Sequence, residues 1–249
     1  MRRIGIVFQR DLRELRQTAA FLSIVIIFSV VTIAAVLIIS IVLSRHKWLM
    51  EIQARPILEM IISLIAYFLP LFILITFIWA FASLPIIKEK VNGNITSLLA
   101  TPLSPGEIWI GKSFAIFLPG LIISTVSTLI VLLAINLITI KPAAGNFILP
   151  IPALVTGFLI NPLLFLGLLL IIILLNLANN PDLAIAPSFI VGFSLMMGIP
   201  LGVATGKINL ASWSFSLWYL GGAMIIWVII CFLLRLLTKE NIIFSSQGE

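Results

Sequence analysis

Long apolar runs alternate with short polar stretches along the whole chain. A helix needs about 20 consecutive apolar residues to cross the hydrocarbon core of a bilayer. Six segments meet that length, at about 19–43, 61–86, 114–138, 154–177, 184–205 and 217–237. The pattern predicts an all-α polytopic membrane protein with six transmembrane helices. Gly192, Gly198, Pro200 and Gly202 weaken the fifth segment, and Pro150, Pro152 and Pro162 interrupt the approach to the fourth. The prolines predict a broken or re-entrant piece within 148–162, a backbone tolerated where protein or water covers it.

The first 17 residues carry a different period. On a helix, Ile4, Val7, Phe8, Leu12, Leu15 and Ala19 share one face, and Arg3, Arg10, Arg13, Glu14 and Arg16 take the other. Arg10 and Glu14 have the i,i+4 spacing of a modest ion pair. An apolar stripe backed by arginines predicts an amphipathic helix lying in the membrane interface. The competing reading is a plain topology signal of positive charge. The division of the chain is thus 1–17 interfacial helix, 18–238 transmembrane domain and 239–249 short tail.

Composition agrees with a membrane protein: 61% of residues are hydrophobic, 10% are charged, and the mean hydropathy is +1.26. Soluble domains carry about 25% charged residues. Basic residues fix an orientation. Arg2, Arg3, Arg10, Arg13, Arg16, Lys88, Lys90, Lys112, Arg235 and Lys239 fall on one side, and Arg45, Lys47, Arg55, Lys141 and Lys207 on the other. This imbalance predicts that both termini and the loop 88–112 are cytoplasmic. Asn94-Ile-Thr96 matches a glycosylation sequon, but a cytoplasmic loop never meets the transferase. The first apolar run is too long for a signal-peptide core and lacks a small-residue cleavage site, which predicts a retained span.

The predicted spans contain no Asp, Glu, Lys or Arg apart from Arg235 near an end. Glu59 falls just outside the second span at headgroup level, and Asp182 falls in the fourth connection. No pair of carboxylates is placed for acid–base work. His46 and Cys231 are single residues of their kind and make no metal site. Ion-coupled carriers and intramembrane enzymes keep ionisable residues within the bilayer. Uphill transport here would need energy from another subunit.

The most informative polar stretch is the loop 88–112. Residues 106–113, GEIWIGKS, formally match G-x-x-x-x-G-K-[ST]. A phosphate-binding loop needs a preceding strand and small residues around the phosphates. Here no strand is predicted, Glu107 would repel phosphate, and Trp109 would crowd it. A helix start accounts for the residues better: Ser104 as N-cap, Pro105 first and Glu107 third make a capping box. That helix enters the membrane with Trp109 and Lys112 at the headgroups, and Gly111 permits close helix approach. Upstream, 93–100 predicts a short helix with Asn94 as N-cap and an apolar face of Ile95, Leu98 and Leu99. Pro102 disfavours helix at Thr101 and ends it. Alone in water such a helix is marginal, so it needs a headgroup layer or another protein to pack on.

The spaced set Glu89, Gly93, Ile95, Leu98, Leu99, Thr101, Pro102, Leu103 and Ser104, followed by Ile108, Gly111 and Lys112, resembles the first cytoplasmic loop of ABC transporter membrane subunits. The likeness is to the type-2 exporter permeases. It extends to the architecture of the whole chain, while the sequence match runs mainly from the second span to Lys112. The resemblance implies that 93–100 is a coupling helix, with Glu89, Gly93, Asn94, Ile95, Leu98, Leu99, Thr101 and Pro102 meeting a separate ATPase. It further implies a prokaryotic plasma-membrane permease subunit that pairs with a second membrane subunit, identical or related, and with two ATPase subunits. ATP and Mg would bind in the ATPase, with no cofactor and no catalysis in this chain and no nucleic acid among its partners. Ser124, Thr125, Ser127 and Thr128 would either line the seam between membrane halves or bond helices together. Two rival readings stand beside this one: a non-transporting scaffold or sensor of the same fold, and an ATP-independent channel or carrier.

Overall fold

A computed structural model describes residues 2–45, 55–82, 100–141, 145–178, 186–238 and 242. The described residues contain helices and turns and no strand. The helices are α1 (Arg2–Gln17), α2 (Ala19–Arg45), α3 (Arg55–Phe81), α4 (Pro105–Ile135), α5 (Ile151–Val155), α6 (Asn161–Ala178), α7 (Ala186–Ala204) and α8 (Trp213–Leu233). A π turn over Asn136–Ile140 extends α4, and another over Thr156–Ile160 joins α5 to α6. Six of these units are long and apolar enough to cross a membrane: α2, α3, α4 with its π turn, α5–α6, α7 and α8. The protein is an all-α polytopic membrane protein.

Three expectations change. The second span starts at Arg55 instead of 61, because Pro56 fits a first turn where no N–H partner is needed. Glu59 therefore belongs to α3, where its carboxylate lies 3.6 Å from Arg55. The proline-rich approach to the fourth span is continuous instead of broken. Pro152 occupies a first turn, and Pro162 directly follows the π turn, whose wider ring lets the Asn161 N–H reach back to the Thr156 carbonyl. The fifth connection holds a tight turn: Gly206 adopts φ 72°, and the N–H groups of Lys207 and Ile208 return to the Gly202 carbonyl. Asp182 and His46 lie outside the described residues, as does the tail 239–249 apart from Ile242.

The centre of the bundle is α3 against α5–α6, both largely buried, with α4 beside them. Tyr67, Leu71, Ile73 and Phe77 pack on Phe165, Leu168 and Ile172 in the larger cluster. A smaller cluster joins Leu58, Ile62 and Ala66 to Val131, Leu132, Ile135 and Ala153. Buried polar residues bond to one another and to the backbone within this core. The Tyr219 hydroxyl donates to Asn161 Oδ1 at 2.6 Å, and Asn161 Nδ2 donates to the Tyr67 carbonyl at 3.0 Å. Thr156 and Ser216 pair at 2.9 Å, and both hydroxyls also lie on the Pro152 carbonyl. Pro70 has no N–H to offer the Ala66 carbonyl, and Gly157 packs directly on that oxygen.

Ser124 donates to the Pro70 carbonyl at 3.4 Å, and Ser127 and Thr128 are buried inside this same bundle. Of the two roles open to these hydroxyls, Ser124 plays helix-to-helix bonding. The outer helices α2, α7 and α8 expose most of their apolar side chains, as a lipid-facing shell does.

Candidate functional site

The described part of the polar loop runs into α4, and α1 lies across the first turns of that helix. Thr101 is half-buried and Pro102 exposed in the bend that precedes Ser104. The capping box forms as the sequence predicts. Ser104 Oγ accepts from the Glu107 N–H at 3.2 Å, and Glu107 Oε2 accepts from the Ser104 N–H at 2.8 Å. Glu89, Gly93, Asn94, Ile95, Leu98 and Leu99 lie outside the described residues.

Residues 106–113 are helix throughout. A Cβ added at Gly111 would stand 2.8 Å from Val7 Cβ and 3.3 Å from the Ile4 carbonyl oxygen. Gly111 is therefore a point of close contact between α1 and α4, as the close-approach reading expected. Ser113 Oγ donates to the Trp109 carbonyl at 2.8 Å. Lys112 Nζ lies 3.0 Å from Asp11 Oδ2, with side chains only 4% and 13% exposed.

Lys112 and Trp109 are both packed against protein, with their polar ends held by protein atoms. Trp109 is buried, and its Nε1 donates to the Leu170 carbonyl at 2.8 Å, tying α4 to α6. Lys112 is buried because Asp11 meets it. Taking a charge out of water costs several kcal/mol unless a partner and hydrogen bonds compensate. The pair satisfies that condition across two helices far apart in sequence.

On α1, Val7 and Leu15 are buried, and Ile4, Phe8 and Leu12 are half-buried. The apolar stripe therefore packs on the bundle. Arg10, Arg13 and Arg16 are exposed on the far side, and Arg3 lies within the helix. Arg10 reaches Asp11 at 2.8 Å and Glu14 at 3.7 Å, so the foreseen i,i+4 pair is the longer of two. Ala19 is exposed at the start of α2, off the packed face. Asp11 escaped the sequence reading, although a signal was present: it interrupts the apolar stripe between Phe8 and Leu12. An acidic residue on the face that packs inward calls for a buried cation.

Among the described residues no group of three His, Cys, Asp or Glu side chains is placed to hold a metal ion. No protein-family model matches the chain, and neither a curated protein nor a solved structure matches it.

Proposed function

We propose that this chain is the membrane-spanning permease subunit of an ATP-driven ABC exporter. It would pair with a second, identical or related membrane subunit to enclose the pathway. Two separate ATPase subunits would bind ATP and Mg and grip the loop 88–112. Both termini and that loop would face the cytoplasm of a prokaryotic cell, following the excess of basic residues on that side. The observation that carries this reading is the loop motif from Glu89 to Lys112 with its resemblance to type-2 exporter permeases. Two features support it. The spans contain no carboxylate pair or proton relay in the sequence, so uphill transport would need energy from a partner. The GEIWIGKS stretch serves helix capping and packing against α1, which fits a chain whose ATP is bound by a partner.

The test is a paired purification. The apolar face of Ile95, Leu98 and Leu99 would fill a groove on the ATPase, and burying one Leu is worth about 1.5–3 kcal/mol. Leu98→Asp with Leu99→Asp should therefore leave a membrane subunit inserted at normal level that no longer retains its ATPase. Retention of the ATPase by the double variant would place the grip elsewhere and reject this role for the loop.

A further inference from the structure

We propose that the outer side of α1, through Arg13 and Arg16, holds the headgroups of anionic phospholipids whose acyl chains lie along the exposed side of α2. The inner side of α1 is already occupied by protein: Val7 and Leu15 pack inward, and Asp11 meets Lys112. On a 3.6-residue helix the opposite side carries Ile6, Gln9, Arg10, Arg13, Arg16 and Gln17, and all six are exposed. Arg10 is engaged, by Asp11 at 2.8 Å and by Glu14 at 3.7 Å. Arg13 and Arg16 meet no carboxylate among the described residues. They have i,i+3 spacing, at which like charges repel unless an anion joins them.

Their depth decides which anion that is. Only Thr18 separates α1 from α2, and it closes the junction tightly. Its hydroxyl donates to the Leu15 carbonyl at 2.7 Å, and its carbonyl accepts from the Phe21 N–H at 3.1 Å. Arg16 thus lies about one turn before Ala19, where the first span begins. That span is the least buried of the six, with Leu22, Ile26 and Val30 exposed in its first turns. Cations at such a boundary stand at the level of lipid phosphates, beside a helix whose apolar side faces acyl chains. A guanidinium presents a planar fork of N–H donors that matches a phosphate. Ile6, exposed on the same side as Arg13, suits a headgroup layer better than water. Phosphatidylcholine balances its phosphate with an ammonium, whereas phosphatidylglycerol does not, so charge complementarity selects the anionic lipid.

The site needs only the membrane and α1, and it stands apart from the function proposed above. In a full-length Cys231→Ser background, Leu22→Cys carries a bimane fluorophore. The purified chain is placed in phosphatidylcholine vesicles with a minor share of phosphatidylglycerol. Bromine on the acyl chains of one lipid or the other quenches the label on contact, so the two quenching yields report the lipid composition beside Leu22. The phosphatidylglycerol share there should exceed its share in the vesicle at least about threefold. Arg13→Gln with Arg16→Gln should bring the two shares to equality, and since both side chains are exposed the fold is spared. The same label at Ile225→Cys, exposed near the middle of α8, should show no enrichment in either background. Equal shares beside Leu22 with both arginines present would overturn the proposal, and that is the result expected if a protein partner covers this side of α1. Enrichment that survives the double replacement, or that appears equally at Ile225, would overturn it as well.

Discussion

Gly157 has no room for one more carbon. A Cβ there would run into the Ala66 carbonyl oxygen, which is backbone and cannot swing aside. Overpacking of this kind costs about 1–3 kcal/mol. Gly157→Ala should therefore lower the thermal midpoint of the purified protein by several degrees, while Gly221→Ala, in open space, should leave it unchanged. Tyr219→Phe removes the 2.6 Å bond to Asn161, and interhelical bonds in membranes average about 0.6 kcal/mol. The expected order of melting points is Gly221→Ala, then Tyr219→Phe, then Gly157→Ala; a Gly157→Ala midpoint equal to that of Gly221→Ala would contradict the packing described. At this scale the sequence disclosed roles that depend on near neighbours, such as Ser104 and Glu107. It hid roles that depend on distant ones. The partner of Lys112 is Asp11, a hundred residues away, and no local pattern pairs the two.

Elements were legible where one physical signal dominates. An apolar run of about 20 residues has few fates besides crossing a bilayer, so all six spans appear near their predicted places. Starts marked by a cap were legible as well, and α4 begins where Ser104 and Pro105 put it. Replacing such a cap by Ala costs about 1 kcal/mol, so Ser104→Ala should speed exchange of the amides at 106–108 roughly fivefold. Unchanged exchange would mean that α1 packing alone holds the first turn. Prolines misled at the fourth span, since periodicity cannot show that a π turn absorbs Pro162 without a break. The amphipathic pattern of α1 was correct, but a stripe of Val and Leu is the same whether it rests on lipid or on Gly111.

At the scale of the molecule, α1 and the start of α4 lie together, so the N-terminus and the loop before Ser104 share one end of the bundle. The basic residues make that end cytoplasmic in the proposed orientation. In a Cys231→Ser background, cysteines at Thr96 and Ser246 should react with an impermeant reagent only from the inside, and one at Gly145 only from the outside. Labelling of Thr96 from outside would invert the topology and remove the loop from reach of any cytoplasmic ATPase. The central claim is that this chain works as the membrane half of an ATP-driven machine whose nucleotide sites are elsewhere. Its most direct test is purification of the tagged, unaltered chain from its own membrane in mild detergent, with native mass and ATP hydrolysis measured on the product. The account predicts membrane subunits and ATPase subunits in equal number, with all ATP bound by the ATPase. A chain that elutes in active form without any ATPase, or that binds ATP by itself and loses it with Lys112→Ala, would contradict it.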